Sequence, residues 1–250
     1  MVATPTRPEA AEIIYPSSDG EPLAETSVHV DAIVNVVVAL RQYLQGQRAI
    51  VLADQFLYYS QGYPKLRVAP DVMVIENVEP GPRDNYKIWE EGSIPSVIFE
   101  ITSEGTKDRD EEHKKILYEQ LEVREYWQFD PKGEWIPEQL RGYRLRNDRY
   151  EPITDDRCQP LNLRLEVEEK SIAFYREDTG EKLLVPEEMT RALETAIQER
   201  QEAENRAQEA ENRAQEAEDL VELERQRANE AEARAEALAA RLKAAGIELD

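Results

Sequence analysis

At 250 residues and 28.8 kDa, with 40% hydrophobic and 34% charged residues, the chain is long enough for one core plus an appendage, and too polar for all of it to be core. A formal charge of −22 opposes general attraction to nucleic acid, so contact with a polyanion would have to come from a local patch. The single cysteine, Cys158, excludes an internal disulfide and fits a reducing compartment.

Residues 1–20 are Pro-rich and polar, with no apolar signal core, and read as a flexible N-terminal segment. The apolar run AIVNVVVAL at 32–40 falls short of the roughly 18 residues of a membrane span. A soluble, cytoplasmic protein without a membrane partner is expected. Residues 21–185 read as an α+β domain. Ser27 is placed to cap a helix that ends near Gly46, and 49–59 is strand-like. A turn at 58–64 leads to a second strand at 66–75 and a third at 95–103. A helix at 106–121, a fourth strand at 125–129, the turn DPKG at 130–133 and peripheral strands at 143–150 and 171–176 complete it. This order predicts a small mixed sheet flanked by helices.

From 186 to 250 the composition changes. EAENRAQ at 202–208 recurs at 209–215 and starts again at Glu216, a seven-residue repeat. With Leu193, Arg200, Ala207, Ala214 and Val221 as a positions and Ala196, Ala203, Ala210, Ala217 and Leu238 among the d positions, the 3-4 alternation is unbroken. A long helix with a narrow alanine seam is predicted, suited to coiled-coil oligomerisation or to standing as a solvated helix.

The candidate chemistry lies in the body. Val97, Phe99 and Ile101 share one face of their strand, while Ile98, Glu100 and Thr102 share the other. Glu100 is therefore a carboxylate on a partly buried face, where it must be paired, metal-bound or protonated. Asp71, following Pro70 in APDVMVIE, repeats the anomaly on the preceding strand. Lys114 precedes Leu117, Tyr118 and Leu121 by three, four and seven residues and so belongs to the helix's inward stripe, whereas His113 and Lys115 do not. Asp71 and Glu100, with the Ile101 carbonyl, can hold Mg²⁺ or Mn²⁺, with Lys114 stabilising phosphoryl charge or orienting water. The plain alternatives are a turn for Asp71 and a structural ion pair for Glu100 and Lys114. A buried pair barely offsets its desolvation, which favours the metal site. Arg67, Arg83, Lys87, Lys107, Arg109 and Lys115 are candidates for a local phosphate-binding patch, and Asp54 in VLADQF reads as structural.

APDVMVI, PSVIFEITSEGT and DRDEEHKKILYEQLEVREYWQFDP, in that order, resemble the Uma-two family of restriction-type endonucleases, within the PD-(D/E)xK nuclease superfamily. The resemblance covers about 25–180. It implies a restriction-endonuclease-like fold and metal-dependent hydrolysis of DNA. It puts Asp71 on the family's first acid, Glu100 on the second, Lys114 on the helix lysine, Asp110 on the helix acid and His29 on a histidine near the start of the first helix. The superfamily's lysine normally stands two residues after the second acid, where this chain has Thr102; SEGT replaces an SPST-like turn, and LEVREYW lacks a glycine. The favoured expectation is a metal-dependent DNA endonuclease that forms a homo-oligomer through the nuclease domain or the C-terminal helix. The alternative is a non-catalytic interaction protein with an inactive nuclease-like domain and a multimerising tail.

Overall fold

The computed structural model describes residues 13–20, 25–102 and 109–244, the side chains of 109–111 excepted. The chain divides into two compact units, Met1–Met189 and Thr190–Asp250. The first has a mixed α+β fold. Helix α1 (Ser27–Tyr43) is capped by Thr26, whose hydroxyl accepts the His29 N–H at 3.3 Å, one residue before the expected cap. There follow β1 (Ala49–Ala53), β2 (Leu57–Tyr58), β3 (Arg67–Val68), β4 (Val72–Glu76), β5 (Tyr86–Lys87) and the short α2 (Ile88–Glu91). Next come β6 (Val97–Ile101), α3 (Arg109–Gln120), β7 (Glu125–Phe129), β8 (Leu140–Arg146), β9 (Arg149–Pro152), β10 (Arg157–Cys158), β11 (Leu163–Glu168) and β12 (Ser171–Arg176).

The central sheet runs β1-β4-β6-β7-β8-β9. Its β6–β7 pair is parallel, and α3 lies in the crossover that such a pair requires. Alternation divides the strands between two cores. Val72, Val74, Val97, Phe99, Trp127 and Phe129 face α1 and the sheet β10-β11-β12. Met73, Ile75, Ile98 and Tyr126 face Tyr118 of α3 and residues of the small sheet β3-β2-β5.

Two expected strands are each cut in two. The run 49–59 breaks at Asp54, whose φ of 50° is left-handed. The run 66–75 breaks at Pro70, which has no N–H for a ladder. Each therefore serves two sheets: β1 and β4 the central one, β2 and β3 the small one. The run 143–150 is a hairpin, β8 turning into β9 at Asn147 and Asp148, both left-handed, as a two-residue hairpin loop needs.

The long helix α4 (Pro186–Ala244) has no buried residue among those described. Among the described residues no helix is long and apolar enough to cross a membrane.

Candidate active site

The register of the central sheet builds the site. Ala53 of β1 pairs with Val72 of β4, and Val72 pairs with Phe99 of β6. The next residues beyond these pairs are Asp54, Asp71 and Glu100, which stand close enough for their charges to act on one another. Glu100 lies opposite Gln128 on β7, and Gln128 opposite Arg141 on β8. Directly opposed residues share a face, with Cβ atoms about 4.5–5.5 Å apart. A polar row thus crosses a sheet whose neighbouring rows are apolar and buried.

Within that row Glu100 is only 7% exposed. Its Oε2 accepts from Lys114 Nζ at 2.9 Å, and its Oε1 accepts from the hydroxyl of the fully buried Tyr118 at 2.6 Å. Lys114 and Tyr118 stand four residues apart on α3, so one turn of helix presents both donors to one carboxylate. Asp71 is fixed differently: its Oδ2 accepts the Ile101 N–H at 2.6 Å. Burial, and then the charge of Glu100, push the Asp71 carboxyl up to about 8, against the pull of the Ile101 N–H and Lys114.

Asp54 shares its N–H between the carbonyls of Pro70 and Asp71, at 3.2 and 3.3 Å, which ties the end of β1 to the start of β4. Partial burial raises its carboxyl too, with Glu100 and Glu25 adding to the effect. The sequence carries one signal for it, an acid ending an apolar strand, but its place beside Asp71 depends on register. His29 arrives from the first turn of α1, nearly fully buried, with Nε2 4.0 Å from Asp71 Oδ1 and Nδ1 3.9 Å from Glu25 Oε2. Among the described residues Nδ1 has no hydrogen-bond partner. His29, Asp54, Asp71 and Phe56 line a cavity of about 630 Å³ that continues along α1 past Val30 and Val34.

The candidate phosphate patch is not gathered here. Arg83 is paired with Glu91 at 2.6 Å and Lys87 with Glu90 at 3.1 Å. Lys115 Nζ stands 3.7 Å from the centre of the Tyr143 ring, and Arg67 lies over Phe56 at 4.1 Å. Lys107 and the side chains of Arg109 and Asp110 fall outside the described residues, and His113 is exposed.

Among the described residues no three His, Cys, Asp or Glu side chains are grouped as a metal cage. The donor set here is smaller: the carboxylates of Asp71 and Glu100 and the Ile101 carbonyl, which leaves an extended strand on the same side as the N–H bound to Asp71. All three are oxygen donors, suited to a hard divalent cation, and the repulsion between two buried carboxylates is what such a cation relieves.

The model of the Uma2 family, described as "Putative restriction endonuclease", matches residues 5–200. Among solved structures, the chain is similar to that of a "putative nuclease belonging to DUF820" from Anabaena variabilis ATCC 29413. The identity is 18% and the TM-score 0.38, over 56% of this chain and 77% of that one. Among curated proteins none matches.

Proposed function

This chain belongs to the Uma2 family, and from that premise we propose that it is a metal-dependent endonuclease that hydrolyses DNA phosphodiester bonds. The observation that carries this reading is the juxtaposition of Asp71 and Glu100 on adjacent strands with Lys114 above them. Asp71, Glu100 and the Ile101 carbonyl would hold Mg²⁺ or Mn²⁺, which when bound polarises the scissile phosphate and acidifies water. Lys114 supplies positive charge to the phosphoryl oxygens as they gain charge. Tyr118 fixes the carboxylate plane of Glu100, and the Ile101 N–H fixes that of Asp71. His29, facing the other oxygen of Asp71, is placed to hold or move a proton at Nε2.

The test is nicking of supercoiled plasmid with Mg²⁺ or Mn²⁺. Wild type is expected to nick, and Glu100→Ala, Lys114→Ala and EDTA are each expected to abolish it. Equal activity in all three proteins would sink the assignment of these residues.

A second reading, a non-catalytic interaction protein, draws on the charge of −22 and on α4. In both readings the nuclease-like domain spans about 21–185 and the helix from 186 associates with another copy. The exposure of Leu193, Val221 and Leu238 on its a/d seam, at 62%, 66% and 59%, supports that association. Absence of nicking together with absence of calorimetric metal binding would favour the second reading.

A further inference from the structure

In a chain with 53 acids among 250 residues, the run from 55 to 70 has none, and it lies between two residues of the acid row, Asp54 and Asp71. It contains Phe56, Tyr58, Tyr59 and Tyr63 together with Lys65 and Arg67. It forms the β2–β3 hairpin, in which Tyr58 is paired with Arg67. At the tip Tyr63 is 63% exposed, and Lys65 beside it is exposed as well. Arg67 lies over the Phe56 ring and reaches the Tyr58 hydroxyl and the Pro64 carbonyl, both at 3.4 Å. Among the described residues neither Lys65 nor Arg67 is paired with a carboxylate, unlike Arg83 and Lys87. Phe56, under Arg67, lines the cavity that holds Asp54, Asp71 and His29.

We propose that the β2–β3 hairpin is the DNA-strand clamp of this protein: an unpaired base stacks on Tyr63, and Lys65 and Arg67 take the adjoining phosphates, leading the strand past Phe56 to the acids. The inference rests on the nuclease reading and adds a preference for unpaired DNA. Charge complementarity selects a polyanion at this hairpin, an acid-free stretch whose Lys65 and Arg67 meet no carboxylate among the described residues, on a strongly acidic molecule. The exposed aromatic ring selects unpaired bases, because a ring face can stack on a base only when that base is out of the duplex. The cavity beyond Phe56 is lined by the acids Asp19, Glu25, Asp54 and Asp71 and offers a phosphate few cations, so the neighbouring cationic and aromatic surface is what can hold the strand in place.

The test is fluorescence anisotropy of the full chain in EDTA, with a labelled oligonucleotide presented single-stranded or as a blunt duplex. Tyr63→Ala, Lys65→Ala and Lys170→Ala are compared with wild type, Lys170 being an exposed cation in the β11–β12 turn. Wild type is expected to bind the single strand more tightly than the duplex. Tyr63→Ala is expected to weaken single-strand binding by about 5- to 150-fold. Lys65→Ala should flatten the log–log salt dependence by about 0.7, and Lys170→Ala should change nothing. Thermal melting of each variant shows whether it is folded. If both hairpin variants bind like wild type while wild type nicks plasmid, the clamp is overturned and the nuclease reading stands. If the hairpin variants lose binding but wild type never nicks, the clamp stands and the nuclease reading fails. Tighter binding of duplex than of single strand overturns the preference for unpaired bases.

Discussion

Among the described residues two strand carboxylates are buried, Glu100 and Glu125, and they differ in kind. Glu125 on β7 is fully buried and satisfied by Arg144 at 2.7 Å, the Trp127 indole at 3.1 Å and the Gln159 N–H at 3.1 Å. It faces the same core as Trp127 and has no acid opposite it, Val97 being its partner on β6. It holds structure. Replacing Arg144 with Leu strands that charge and should cost about 3–5 kcal/mol in urea unfolding; a loss below 1 kcal/mol would show that the pair is dispensable. Glu100 has Asp71 beside it, and the effect appears on Asp71. A carboxyl held at about 8 when folded, against an ordinary 3.8, binds its proton more tightly in the folded chain. Its contribution to stability is complete below about pH 4 and is lost as pH rises toward 8. In EDTA, Asp71→Asn should therefore gain stability on wild type between about pH 5 and pH 8, at a slope of at most about 1.4 kcal/mol per pH unit. A pH-independent difference between the two would show that Asp71 is not perturbed in this way.

At the scale of elements, the site depends on where strands stop. β1 ends at the left-handed Asp54, and β4 starts directly after Pro70 and Asp71, so both acids fall at strand ends instead of inside a ladder. Strand ends of this kind bring polar side chains to a sheet without interrupting its apolar rows. The sheet behind them is closely packed at one point. Gly142 on β8 lies opposite Trp127, and a Cβ there would come within 2.6–2.9 Å of the indole and Ile153. The indole is 1% exposed and has no room to retreat. Gly142→Ala should destabilise the protein by about 1–3 kcal/mol, read from the denaturant midpoint. An unchanged midpoint would mean that the β7–β8 packing yields more easily than its density implies.

At the scale of the molecule, the open question is what the C-terminal helix α4 does. The seam of α4 is mostly alanine, with few larger side chains, and any association through such a seam would be weak, because alanine buries little area. Replacing Leu193, Val221 and Leu238 together with Glu should shift the full chain to a smaller species by sedimentation, with the melting of the nuclease-like domain unchanged. An identical sedimentation coefficient for both proteins would remove oligomerisation from the role of α4.

Much of the molecule is legible in the order of its residues. Periodicity alone outlines α1, α3 and α4 and the apolar runs of β4, β6 and β7, because period and face are local properties of the chain. Asp71, Glu100 and Lys114 stand out for the same reason, as polar groups on positions whose neighbours are apolar. Tertiary structure decides what lies across from what. Asp54, Asp71 and Glu100 form one row only through the register of three strands far apart in sequence, and His29 reaches Asp71 only because α1 crosses that end of the sheet. The difference between Glu125, closed off by arginine, and Glu100, set against a second acid, is also a matter of register. So is the sorting of the cations, since salt bridges occupy Arg83 and Lys87 while Arg67, among the described residues, meets an aromatic ring and neutral oxygens. Sequence pattern says which side chains must be satisfied; only the packed fold says by whom.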